Sequence, residues 1–157
     1  AGWCAPSLKP DDPIIDPVYE KVNELCGITL ISLSFCYGPD LSYSDPITIQ
    51  HVANKYPNMK ICISHGGWPQ VQSMLAVAMR CPNVYLMPDC YLYIPGCPYA
   101  RDYVKAANSY LKYRTLYASA YPLRGFEQCY KGWCAQPFEP DALKANLYDN
   151  AARLLGL

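Results

Sequence analysis

The stretch Ile61-Cys62-Ile63-Ser64-His65-Gly66-Gly67-Trp68-Pro69 decides how this chain is read: a short apolar strand that ends on a histidine and two glycines. Barrels of alternating strands and helices project their catalytic groups from this kind of strand end. His65, one of only two histidines, is therefore the first candidate functional residue. Its plainer account is a strand-end imidazole satisfied by backbone groups, with Gly66 and Gly67 serving a tight turn.

Outward from this strand the pattern alternates. A helix is predicted over 16–26, with Asp16 as its cap, Pro17 at the first helical position, apolar residues at 18, 22 and 25, and Gly27 as its stop. A strand over 28–33, a turn-rich loop over 37–44 and a helix from Asp45-Pro46 to near Tyr56 follow. After the strand over 60–64 come a helix over 70–80, with an apolar stripe at 71, 74, 75, 78 and 79, and a strand over 84–87. A long loop, a helix over 102–111 and a strand over 115–118 complete the alternation. Four strands alternating with helices predict an α/β fold of consecutive β-α units on a parallel sheet. Their near-continuous apolar character predicts burial on both faces. The tail departs from this, with short helices over 126–133 and 141–147 and with Asn150 placed to cap a last turn before Gly156.

A length of 157 residues allows one domain, 1–157, with a core of its own. Thirteen basic and thirteen acidic side chains cancel, which leaves no electrostatic footprint for nucleic acid or an anionic membrane. The longest apolar runs fall well short of the roughly 18 residues of a membrane span. No leader is legible at Ala1-Gly2-Trp3-Cys4, and nine scattered cysteines without C-x-x-C spacing read as reduced thiols, so a soluble, cytoplasmic protein is expected.

Four elements, in order, carry a resemblance. They are Tyr56-Pro57-Asn58-Met59-Lys60 leading into Ile63-Ser64-His65-Gly66-Gly67-Trp68-Pro69, then Pro82-Asn83-Val84-Tyr85-Leu86, then Leu116-Tyr117-Ala118-Ser119-Ala120-Tyr121-Pro122, and finally Asn150-Ala151-Ala152-Arg153-Leu154-Leu155-Gly156-Leu157. Together they resemble the amidohydrolase-related family, in its aminocarboxymuconate-semialdehyde decarboxylase-like branch of metal-dependent hydrolases and carboxy-lyases. The resemblance implies a (β/α)8 TIM barrel of roughly 250 residues or more, of which the four strands here are similar to the C-terminal half. It also implies a divalent metal held by an H-x-H pair on the first strand, histidines on the fifth and sixth, and an aspartate on the eighth.

Carried over residue by residue, only His65 matches, at the sixth-strand position. Ser32, or Ser34 with a register slip of two, stands at the fifth-strand position, and Ala120 stands where relatives carry the aspartate. A metal centre generally needs three or more protein ligands. No cofactor is therefore expected for this chain alone, and zinc or another divalent metal only if a partner completes the site.

Other residues are weighed beside His65. Asp89 follows the third of these strands through Pro88, where it either pairs with His65 or simply forms a turn. Ser119, Tyr121 and Arg124 flank Ala120 and suit a carboxylate ligand, although a solvated arginine is the plainer account of Arg124. Cys36 and Cys90 lie in strand-end loops, as soft ligands or inert thiols, and His51 sits on a helix with a surface role. Three functional readings follow. One is an inactive, truncated relative of the family, a pseudoenzyme. Another is half of a split or oligomeric enzyme, completed by a second copy or by a complementary N-terminal half-barrel. The third is an interaction module built on the tyrosine-rich loop over 91–103.

Overall fold

The computed structural model describes residues 7–157, so the reading of Ala1-Gly2-Trp3-Cys4 lies outside the described residues. Three strands, β1 (Ile28–Ser32), β2 (Lys60–Ser64) and β3 (Val84–Met87), form a parallel sheet in the order β1-β2-β3. Leu30 lies opposite Cys62 and Cys62 opposite Tyr85, and the strand ends Ser32, Ser64 and Met87 come into line. Helices α1 (Asp16–Glu24), α2 (Pro46–Lys55), α3 (Val71–Arg80) and α4 (Ala100–Ala107) connect and cover the strands. Helix α2 begins as its sequence predicts, with the Asp45 carboxylate accepting from the Ile47 amide at 3.0 Å and Pro46 in the first turn.

The fourth predicted strand is reduced to a single parallel bridge, between Leu86 and Thr115. The Leu86 amide donates to the Arg114 carbonyl and the Leu116 amide to the Leu86 carbonyl, both at 2.9 Å, but the Tyr117 amide donates to the Asn146 carbonyl. Pairing stops where the tail competes for the backbone. After α5 (Phe126–Cys134), α6 (Pro140–Lys144) runs through a π-helical turn at Ala145–Asp149 into α7 (Asn150–Leu155) as one helical stretch.

Two predicted caps have other work. Asp16 is the first residue of α1, and its carboxylate accepts from Lys55 Nζ and the Tyr56 hydroxyl, each at 2.7 Å, which ties α1 to the end of α2. Asn150 is helical and buried, and its side-chain amide donates to the carbonyls of Lys112 and Thr115 at 2.8 and 2.7 Å. On α1, Tyr19 is the buried residue while Val18 and Leu25 face outward, and Met79 of the predicted α3 stripe is also exposed.

The core lies between the helices and one face of the sheet, where Ile31, Ile61, Ile63, Val84 and Leu86 meet Ile49, Val52, Met74, Leu75 and Trp133. On the opposite face, Cys62 packs with Leu116 and Leu154. Burial of the strands on both faces fails at β1, where Leu30 is 63% and Ile28 37% exposed. β1 is an edge strand with β2 on one side alone, so the residues of its inner face have no further strand to meet. Among the described residues no helix is long and apolar enough to cross a membrane.

Candidate active-site hollow at the strand ends

The chain leaves β2 through three consecutive left-handed residues, His65, Gly66 and Gly67, with φ of 65°, 60° and 76°. The two glycines are required by their neighbours. A Cβ on Gly66 would come within 2.9 Å of the Tyr103 hydroxyl and 3.0 Å of Pro88 Cα, and one on Gly67 within 2.7 Å of the Met74 side chain. The turn is further held by the Tyr103 hydroxyl, which donates to the Gly66 carbonyl at 3.1 Å.

This turn sets His65 against Asp89. The Asp89 carboxylate is 2% exposed, accepts from the His65 amide at 3.0 Å and lies 2.7 Å from His65 Nδ1. The approach of Nδ1 to Asp89 Oδ2 is close but not aligned as a hydrogen bond, and Asp89 Oδ1, the other carboxylate oxygen, is a buried polar atom without a hydrogen-bond partner, as is Nδ1. Such atoms mark where a bound molecule or a water completes the network. At the other ring nitrogen, the Tyr37 hydroxyl lies 3.0 Å from Nε2. A carboxylate beside Nδ1 favours the proton on that nitrogen, which leaves Nε2 to accept from Tyr37. Tyr91 meets the imidazole edge-on at 5.8 Å, stacks on Trp68 at 4.8 Å and hydrogen-bonds through its hydroxyl to Ser34 Oγ at 3.0 Å.

Ser32, His65, Asp89, Ser119, Ala120 and Tyr121 line one hollow of about 450 Å³ at the carboxyl ends of the strands. Three of its residues, His65, Asp89 and Ala120, hold left-handed backbone at φ of 65°, 45° and 55°. Each costs on the order of 1 kcal/mol or more without a glycine, and strain of this kind gathers at functional sites. Asp89 thus both lies against His65 and opens a 3-10 turn, Asp89–Leu92, after Pro88, and it is buried. Ser119 and Tyr121 share the hollow, and the Tyr121 amide donates to Ser119 Oγ at 3.2 Å.

Other predicted residues lie elsewhere. Arg124 lines a neighbouring hollow, because the chain has turned away from the strand ends by the residue before α5. Ser34, the slipped-register alternative, is wholly buried beneath Tyr91. Cys36 is exposed, whereas the Cys90 thiol is buried and pushed up to about 12, first by burial and then by the Asp89 carboxylate. His51 is exposed and pairs with Asp11 at 2.7 Å. Of the tyrosines over 91–103, Tyr103 is buried, Tyr91 is stacked on Trp68, Tyr93 is half-buried and Tyr99 is exposed at 59%.

Sequence reasoning missed Tyr37, Tyr91 and Trp68. The signal available for Tyr37 was its place in the loop after a strand, on the same end of the sheet as His65.

The residues in this hollow do not fit a divalent ion. Ser32 offers a neutral hydroxyl, Ala120 offers no donor and His65 Nε2 is engaged by Tyr37. Among the described residues no group of three or more His, Cys, Asp or Glu side chains could hold a metal.

The model of an amidohydrolase family matches residues 5–157. A TIM-barrel protein from Bordetella bronchiseptica superposes with a TM-score of 0.90 at 36% identity, covering 95% of this chain and 52% of that one. The 5-carboxyvanillate decarboxylase of Sphingomonas paucimobilis superposes at 0.68 with 14% identity, covering 96% and 55%. A dihydroxybenzoic acid decarboxylase from a Polaromonas species, solved with bound manganese and an inhibitor, gives 0.68 at 14%, covering 96% and 56%. No curated protein matches by sequence. The chain spans about half the length of these solved structures.

Proposed function

The chain belongs to the amidohydrolase family, and from that premise we propose that it is a half-barrel binding a small polar molecule at His65, without metal-dependent turnover of its own. The observation that carries the reading is the donor set of the hollow. His65 and Asp89 meet at 2.7 Å, whereas Ser32 and Ala120 line the same space without supplying a metal ligand. In this reading Asp89 and the Tyr37 hydroxyl hold the imidazole from its two nitrogens, and the ring forms one wall of the ligand site. The eight described cysteines are free thiols, which supports a reducing compartment, the cytoplasm.

The test is carbon dioxide release from 2,6-dihydroxybenzoate and 5-carboxyvanillate by the purified chain with zinc or manganese. The expected result is none above buffer, together with less than stoichiometric metal after dialysis. Metal-dependent turnover abolished by His65→Ala would overturn it. The double variant Ser32→His with Ala120→Asp gives the complementary measurement, since left-handed backbone at residue 120 suits aspartate better than alanine. It is expected to gain zinc affinity that the parent lacks.

A second reading is favoured by one observation, the exposure of Leu30 at 63% on an unpaired strand. A complementary half-barrel or a second copy would cover that edge and supply the missing ligands. Sedimentation showing a stable monomer over a wide concentration range would count against it.

A further inference from the structure

The hollow that holds Arg124 belongs to neither reading. Its walls are Tyr93, Ile94 and Pro95, from the loop after β3, facing Arg124, Gln128 and Lys131 on and before α5. At about 600 Å³ it has the size of a small-molecule site. Lys131 is paired with Glu127 at 2.7 Å, so those two charges cancel. Arg124, only partly exposed, makes no hydrogen bond or ion pair among the described residues and is the uncompensated charge of the hollow.

A free guanidinium beside an apolar wall selects for two properties at once. The planar fork matches a carboxylate, with two parallel hydrogen bonds. Ile94, Pro95 and the Tyr93 ring favour an apolar body behind that carboxylate.

We propose that this hollow is a second small-molecule site, for monocarboxylates with a compact aromatic or aliphatic body. It has no lining residue in common with the His65 hollow, to which α5 is tied by a single hydrogen bond. The buried Cys129 thiol of α5 donates to the carbonyl of Ser119, at 2.8 Å, and Ser119 lines the His65 side.

The experiment is ligand-observed NMR on the full chain, with benzoate as the probe and benzamide as its neutral counterpart. Saturable benzoate binding is expected, with benzamide weaker by about tenfold or more, the scale of a charge-assisted hydrogen bond. Arg124→Gln should weaken benzoate by a similar factor, and Arg124→Lys should restore part of the affinity. Thermal melting of each variant separates lost binding from lost fold. Absence of saturable binding overturns the proposal, as does equal affinity for benzamide or an undiminished affinity in Arg124→Gln. Loss of binding in His65→Asn alone would move the acid into the first hollow and also overturn it.

Discussion

The two faces of the sheet are closed to different degrees. Toward the helices, Ile31, Ile61, Ile63, Val84 and Leu86 are all between 0% and 4% exposed. Toward the side that a full barrel would enclose, Cys62 is covered by Leu116 and Leu154, yet Leu30, directly across from it in register, is 63% exposed. The helix layer is therefore complete within this chain, whereas the inner layer is complete only near the tail. Burying a leucine side chain is worth about 1.5–3 kcal/mol, so the inner face leaves a driving force for association unspent.

Denaturant melts read out how far each face is closed. Ile63→Ala, in the closed layer, should cost the most, about 2–5 kcal/mol, through a cavity that its neighbours cannot fill. Asn83→Ala should cost about 1–2 kcal/mol, because its side-chain amide donates to the carbonyls of Ala53, Tyr56 and Met59 at 3.1–3.2 Å. Leu30→Ala, on the open face, should stay within about 0.5 kcal/mol. A loss approaching that of Ile63→Ala would mean that this face is covered in solution.

The smallest effect concerns pH. Hydrogen bonds from Lys55 and Tyr56 hold the Asp16 carboxyl below its ordinary 3.8. A carboxyl depressed in the folded state contributes stability above its unfolded pKa and loses it as pH falls through the folded one. Asp16→Asn should therefore lower the stability slightly near neutrality and flatten its decline below about pH 4.

The residues that carry the family resemblance divide along the same line. Asn83 and Asn150 are architectural, bonded to backbone carbonyls, and the glycines after His65 are demanded by Tyr103, Pro88 and Met74. Ser32 and Ala120 stand in the hollow at positions where the resemblance implies ligands. Scaffold was legible because its spacing is local, as in the α2 cap at Asp45 and the strand over 60–64. The site was legible only in part. His65 and Asp89 could be nominated from strand ends, but Tyr37 reaches the imidazole across 28 residues of chain, a contact that no periodicity encodes. Arg124 was not separable from Ser119 and Tyr121 by spacing, since four residues after Ala120 the loop has already turned toward α5.

By itself the sequence determined the alternation of strands and helices, the family, and the poverty of metal ligands, because each depends on residue type and short spacing. Tertiary structure alone decided that β1 is an open edge, that the fourth strand shrinks to one bridge when the tail takes the Tyr117 amide, and that His65, Asp89 and Tyr37 share one group. Those outcomes rest on contacts between distant segments competing for the same backbone and the same space, and the local pattern carries no record of which competitor wins.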